Sequence, residues 1–513
     1  MNYDEREAEE AHTQAMYDNE NEEEYMKEYE ENLATVSGAL PEVVKSFQKD
    51  ATNVAHFNDI PAAASFFVIL GQICKDFIKI PNGFSIEDTR IHFLQVQTSG
   101  TGKSTLYNFV GPVSRKVFNM INDTAAHPLA EDIPSEIEGE FEAKKPKHFN
   151  TFSTTLYTDA ALTGHYAEIM IKDGDEKGEF KQKRIAGELE GSGLAHWDEF
   201  EYSGIFHQTM HKQDAIVMLN TFMNTLHGES WVVSKKLKDG DTMYCFNERS
   251  VLAMTYPPNK LESVITEKGV LQRMLVFIWD VPPFIQDRMR RKQISYAGKI
   301  MEIDLPIDKH ANRLFKIYSM VKERWLEVEK EGLKVMTFSP DFTEVLKFEY
   351  EGMENYIQSA SPKVRKIASN FTTRLLKILI KMSVLCSVAQ SPSIKDKSQR
   401  FLVTGYNVRQ ATIIVRQCYM TLVDWLERSL KVEHRQAAMK GRVPSFEKVF
   451  NDMKKDENGF VNKKEYLEAF SEETQLKSSR AYLLFGTIEH KFETDKIGRS
   501  VYIKLKEKKE ELK

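Results

Sequence analysis

The run Val96-Gln97-Thr98-Ser99-Gly100-Thr101-Gly102-Lys103-Ser104-Thr105 places two glycines directly before a lysine and two hydroxyl residues. Glycines let a short turn aim backbone N–H groups at an anion. A lysine in the next position reaches the β- and γ-phosphates of a nucleotide, and the hydroxyl after it helps to hold Mg²⁺. The chemistry these types support is binding of a nucleoside triphosphate. Ser99, Gly100, Thr101, Gly102, Lys103, Ser104 and Thr105 are the expected cradle, with ATP and Mg²⁺ as its ligands. The full phosphate-loop pattern has a further glycine six residues before the lysine, where this chain has Gln97.

Hydrolysis also needs a carboxylate to organise the metal and another to orient the attacking water. Leu194-Ala195-His196-Trp197-Asp198-Glu199 supplies adjacent acids after an apolar run, with Asp198 suited to the metal and Glu199 to the water. Thr255, at the end of Ser250-Val251-Leu252-Ala253-Met254-Thr255, is placed to sense the γ-phosphate or the water, or else is an ordinary strand-end hydroxyl. Arg273, just before the apolar run Met274–Trp279, is a candidate to neutralise transition-state charge across a subunit boundary.

Elements must hold these residues in place. Ile91, Phe93, Leu94 and Val96 read as a strand entering the turn, and Leu106, Phe109, Val110, Val113, Val117, Phe118 and Met120 as the apolar face of the helix leaving it. Further strands are expected at Phe152–Tyr157, Gly193–Trp197, Val251–Tyr256 and Met274–Trp279, which makes five with the first and predicts a parallel α/β core. Thr158 or Asp159 is expected to cap a helix running through Ile169, and residues 171–191 read as a charged loop or hairpin insertion. Leu40–Ile80 and residues 310–432 look helical, with Pro61 suited to a first helical turn. The expected domains are an acidic disordered tail (1–35), an ATPase core with amino-terminal helices (36–300), a helical domain (301–433) and a carboxy-terminal module (434–513).

Composition narrows the class. The chain has 513 residues, 28% of them charged, and no apolar run long enough to span a membrane. The start is acidic where a signal peptide would be basic, so a cytoplasmic protein without a membrane partner is expected. Four widely separated cysteines show no metal-ligand spacing and suit a reducing compartment. Residues 1–32 carry thirteen acids against Arg6 and Lys27, so the rest of the chain is net positive within a total of −6. That segment reads as a solubilising tail or, more sharply, as a partner tether or nucleic-acid mimic over a basic groove.

Trp231–Phe246 has two apolar arms around Asp239-Gly240, a hairpin pattern with Lys235, Lys236 and Lys238 near the tip. Lysines there can grip a nucleic-acid backbone without regard to sequence, or simply be solvated.

In order and spacing these pieces resemble the helicase part of the phage and plasmid primase–helicases, AAA+/superfamily 3-like P-loop ATPases. The resemblance spans roughly 55–430. It takes in Pro61-Ala62-Ala63-Ala64, the Ser-Gly-x-Gly-Lys-Ser loop, the Asp-Glu strand and Thr255-Tyr256-Pro257-Pro258. It continues with Gly269-Val270-Leu271-Gln272-Arg273-Met274-Leu275, Arg374-Leu375-Leu376-Lys377-Ile378-Leu379 and Tyr406–Trp425. It implies a homo-oligomeric ring, a hexamer, that hydrolyses ATP while moving on single-stranded DNA. It implies that the lysine hairpin lines the channel, that Arg374 is a second-sensor arginine touching nucleotide, and that the protein is virus-encoded. No primase signature or zinc ribbon is visible, so priming is expected from a separate partner.

The carboxy-terminal module reads as three helices (Phe446–Lys454, Lys463–Phe470, Ser479–His490) followed by a hairpin. That is a winged-helix pattern, with Ser479, Arg480, Lys496 and Arg499 as DNA contacts or, alternatively, a protein-docking module. Asp456–Glu465 looks like half of a calcium loop, but aligning Gly459 with the turn puts Lys454 where the first acidic ligand belongs. The expected function is an ATP-dependent replicative DNA helicase. The alternatives are a packaging, loading or protein-remodelling ATPase, or a nucleotide-gated DNA-binding scaffold with little turnover.

Overall fold

The computed structural model describes residues 22–27, 29–31, 33–34, 36, 38–83, 85–124, 149–154, 164–171, 179–186, 191–198, 223, 232–236, 242–255, 269–296, 305–331, 335–456, 458–474, 485, 492–497 and 500–506. They divide into two compact units, Met1–Trp425 and Leu426–Lys513.

The first unit is mixed α/β. Helices Glu42–Val54 and Asp59–Cys74 come first, then the antiparallel pair β1 (Ile80–Asn82) and β2 (Ser85–Glu87). Every residue of Asp59–Cys74 except Ile60 is buried, as expected for a helix that is apolar on all sides, and Pro61 lies in its first turn. Next are β3 (Phe93–Gln97), helix Lys103–Asp123, β4 (Phe149–Thr154), β5 (Gly164–Ile171), β6 (Glu179–Ala186) and β7 (Gly191–Trp197). They are followed by β8 (Val232–Lys236), β9 (Thr242–Thr255) and β10 (Leu275–Trp279).

Five of these strands form one parallel sheet in the order β10-β3-β9-β7-β4. The strand before the glycine-rich turn is therefore internal, flanked by two strands that arrive much later in the chain. Its five residues are all buried, as suits a parallel strand covered on both faces. Helices Pro283–Tyr296, Ile307–Glu331, Phe342–Ser359 and Pro362–Gln390, with the start of Gly405–Asp452, account for the helical second half. A short parallel pair, β11 (Thr337–Phe338) and β12 (Leu402–Val403), joins the helical layers. Among the described residues no helix is long and apolar enough to cross a membrane.

Four expectations need correction. The helix expected through Ile169 is not formed there: from Gly164 the chain is strand β5, paired antiparallel with β6 from Gly164↔Ala186 to Ile171↔Glu179. Ile169 and Ile171 favour strand, and the hairpin partner absorbs the backbone hydrogen bonds a helix would have made internally. The strand expected to start at Val251 starts at Thr242, because one continuous strand serves both the β8–β9 hairpin and the parallel sheet. Leu40–Ile80 is two helices, separated by Phe57 in a left-handed conformation (φ 62°). Finally, the acidic segment is helical at its described positions between 22 and 39 instead of unstructured. Met26 packs with Val281, Ile285 and Met289, and Tyr29 stacks near Trp279.

The second unit, by itself, packs the end of Gly405–Asp452 and helix Lys463–Thr474 with a small antiparallel sheet. Its strands are β13 (Val461–Asn462), β14 (Phe492–Ile497) and β15 (Ser500–Leu505), in the order β13-β15-β14. Phe450, Tyr466, Phe470, Phe485, Phe492 and Ile503 form its core. The third expected helix lies outside the described residues apart from Phe485. In the calcium-loop-like segment that starts at Asp456, Asp456 Oδ1 accepts from the backbone of Asn458 (2.9 Å) and Phe460 (2.7 Å). That carboxylate closes a turn, which accounts for its position without a metal.

Candidate active site

Because the five strands are parallel, their carboxyl ends share one edge. Thr98, Asp198 and Asp280 follow β3, β7 and β10 at that edge, and Thr255 ends β9. Register fixes the lateral positions: Thr255 lies opposite Val96, Trp279 opposite Gln97 and Trp197 opposite Ala253. With strands about 4.8 Å apart, Thr255 is one strand from the turn and Asp198 two, roughly 10 Å away. A crevice beyond the carboxyl ends of a parallel sheet is where open α/β folds place ligands.

The turn is built by its glycines. Gly100 has φ 75° and Gly102 φ 88°, both left-handed, and helix Lys103–Asp123 starts immediately after them with Gly102 as its N-cap residue. A Cβ at Gly102 would also stand 3.2 Å from Asn58 Nδ2. Lys103 folds over the turn and donates to the carbonyls of Gln97 (2.6 Å) and Thr98 (3.0 Å). Ser99 and Ser104 are exposed. Thr98 Oγ1 accepts from Val281 N at 3.2 Å, which ties the turn to the end of β10.

Under the turn lies a buried amide network. Gln97 Nε2 (3.1 Å) and Asn58 Nδ2 (3.2 Å) both donate to the Thr101 carbonyl. Gln95 Nε2 donates to Asn58 Oδ1 (2.8 Å) and Gln97 Oε1 (2.5 Å). Asn58, Gln95 and Gln97 are all essentially buried.

Thr255 is 2% exposed and its hydroxyl has no hydrogen-bond partner among the described residues, a costly state for a buried polar group. Asp198 is described and half-buried at the end of β7; Glu199 lies outside the described residues. Behind Asp198, His196 stacks on Tyr107, and its pKa is pushed down to about 3 by burial and then by Arg115. The imidazole is therefore neutral.

Arg273 and Arg374 come together at the opposite edge of the sheet. Their pocket is also lined by Glu87, Arg90, His92 and Lys377, beside the amino-terminal ends of β3 and β10. Burial lowers the Arg273 pKa, and the like charge of Arg374 lowers it further. Lys377 pairs with Glu87 (2.5 Å), Arg90 with Asp88 (2.8 Å), and Lys381 lies 3.5 Å from Asp88. The length of β3, about 16 Å, separates this basic pocket from the glycine turn. Arg374, implied by the resemblance to touch nucleotide, stands with Arg273 and not beside the turn of its own chain.

Lys235 and Lys236 lie on β8, where Lys236↔Thr242 and Lys235↔Met243 are the hairpin pairs closest to its tip. Lys496 is on β14, paired with Val501. Lys238, Ser479, Arg480 and Arg499 lie outside the described residues. Asn58 and Gln95 were missed from sequence, although glutamines at alternate positions of an otherwise apolar strand share one face and so call for buried partners.

No protein-family model matches the chain, and no curated protein matches it.

Proposed function

We propose that the chain is an ATP-driven motor that moves on single-stranded DNA as a ring-forming replicative helicase. The observation that carries the reading is the shared edge: a left-handed glycine turn ending in Lys103, with Thr255 and Asp198 on the next two strands. The residues suit a nucleoside triphosphate. The Lys103 ammonium already lies against turn carbonyls, the helix behind it begins at a glycine N-cap, and a buried hydroxyl with no partner among the described residues stands one strand away.

In this reading Lys103 and the Ser99–Thr105 backbone hold the phosphates. Ser104 and Asp198 hold Mg²⁺, which when bound neutralises charge on the transferring phosphoryl group. Glu199 orients the attacking water and Thr255 donates to it or to the phosphoryl oxygens. Arg273 and Arg374 lie far from the turn of their own chain, a placement that suits action on a neighbour's nucleotide in a homo-oligomeric ring. The β8–β9 hairpin carries Lys235, Lys236 and Lys238 as channel contacts for DNA. The second unit acts as a winged-helix-like module with Lys496 on its wing, and a separate primase supplies primers.

Steady-state ATP hydrolysis with and without a long single-stranded oligonucleotide tests this. Strong stimulation, lost in Lys103→Ala and Glu199→Gln, supports a DNA-dependent motor. Turnover blind to DNA contradicts it and favours a remodelling or loading ATPase.

A further inference from the structure

We infer that Gln97, standing where the full phosphate-loop pattern has glycine, is a positioning residue that presets the loop for nucleotide. The inference rests on the nucleotide-binding reading of the Ser99–Thr105 turn.

A glycine before such a turn contributes only freedom. Gln97 contributes the reverse. Its backbone is the last residue of a buried strand, and its side chain is fully enclosed. Its amide reaches forward four residues to the Thr101 carbonyl at 3.1 Å. Asn58, arriving from the start of the Asp59–Cys74 helix, donates to the same carbonyl at 3.2 Å. A carbonyl oxygen has two lone pairs, and here both are taken. Gln95 links the two side chains by donating to each, so the three amides lock one another.

The consequence follows from peptide geometry. A trans peptide is planar, with its C=O and N–H pointing in opposite directions. Pinning the Thr101 carbonyl inward, into the amide network, directs the Gly102 N–H outward to the concave side of the turn. Gly102 sits at φ 88°, and the adjoining Lys103 opens the helix. The donor that a phosphate oxygen would meet is therefore held in place before ligand arrives. Pre-organisation of this kind lowers the ordering cost of binding.

The decisive variant is Gln97→Gly, which restores the usual motif. If Gln97 is a tolerated departure, affinity for nucleotide stays constant or improves. If Gln97 positions the loop, the Kd for ADP and for ATP rises about tenfold in Gln97→Gly and in Gln97→Ala. KM rises in parallel and kcat changes far less; the thermal midpoint also falls, because the variants empty a fully enclosed position and remove the acceptor of Gln95, so binding is compared well below that midpoint. Gln97→Glu, which removes the donor and sets a carboxylate against the Thr101 carbonyl, binds more weakly than Gln97→Ala. Asn58→Ala combined with Gln97→Ala is non-additive, since both act through one carbonyl. Titration of wild-type protein with a fluorescent ADP analogue is the reference. No binding by wild type removes both the nucleotide reading and this inference. Binding by wild type that Gln97→Gly and Gln97→Ala leave unchanged overturns the inference alone.

Discussion

Thr255→Val is the perturbation whose outcome the structure fixes most tightly, because stability and activity should move in opposite directions. Threonine and valine have nearly the same shape, so the packing of β9 against β3 at Val96↔Thr255 is kept. What changes is one hydroxyl that is 2% exposed as part of its residue and has no partner among the described residues. A buried polar group left unsatisfied costs about 1–3 kcal/mol. Removing it should leave stability unchanged or raise it within that range. The ordinary expectation for Thr→Val at a hydrogen-bonded site is the opposite, a loss of about 1 kcal/mol. If the hydroxyl instead finds its partner only during hydrolysis, turnover should fall about 100-fold, the scale for losing one donor aimed at developing charge. Urea unfolding followed by circular dichroism gives the first quantity and steady-state ATP hydrolysis the second. A destabilisation beyond about 1 kcal/mol would mean the hydroxyl is already bonded in the resting protein. Unchanged turnover would remove Thr255 from the machinery.

Other outcomes follow from named contacts. Burial raises the Asp88 carboxyl pKa, but Arg90 and Lys381 and the Arg90 hydrogen bonds pull it well below the usual carboxylate range. Its stabilising contribution is therefore complete above the ordinary carboxylate value near pH 4 and is lost as pH falls through the folded value. Asp88→Asn replaces the carboxylate that pairs with Arg90, whose side chain is 1% exposed, by a neutral amide and should cost about 3–5 kcal/mol in urea unfolding. Gly193→Ala places a Cβ 1.8 Å from the Asn150 carbonyl oxygen at φ 126°, so the β4–β7 pairing should break with a loss on the order of 3 kcal/mol or more. Arg273→Ala should keep ADP binding and lose turnover, and mixing it with Lys103→Ala subunits should restore part of the activity, as action across a subunit boundary requires.

The parallel core was legible because its strands are short, apolar and punctuated. Phe93–Gln97 and Leu275–Trp279 fall within a residue or two of their expected limits, and the glycine pair located the turn between strand and helix. The hairpin at Val232–Phe246 was legible from its Asp-Gly and flanking apolar arms. Strand order was not, since nothing local says that β9 and β10 flank β3. The stretch through Ile169 was misread because a brief apolar run fits either period, and the pairing partner that decides is a separate segment. The helical acidic segment escaped because its anchoring residues, Tyr25, Met26 and Tyr29, are thinly spread among charges. Arg374 was placed by resemblance, and only the packing of helix Pro362–Gln390 against the start of β10 brings it to Arg273. Of the amide network only Gln97 stood out, as a departure from the loop pattern; Gln95 lies inside an apolar strand and Asn58 comes from a loop between helices, so neither shows its partner in the sequence.

The central claim, a motor driven along single-stranded DNA by ATP, is tested most directly by strand displacement from a duplex carrying a single-stranded tail. Wild-type protein with Mg²⁺ and ATP should release the labelled strand. A non-hydrolysable analogue, Lys103→Ala and Lys236→Ala should each abolish release, while Lys236→Ala keeps DNA-independent hydrolysis. Hydrolysis by wild type with no displacement on either tail polarity, or displacement that Lys103→Ala leaves intact, would contradict the account.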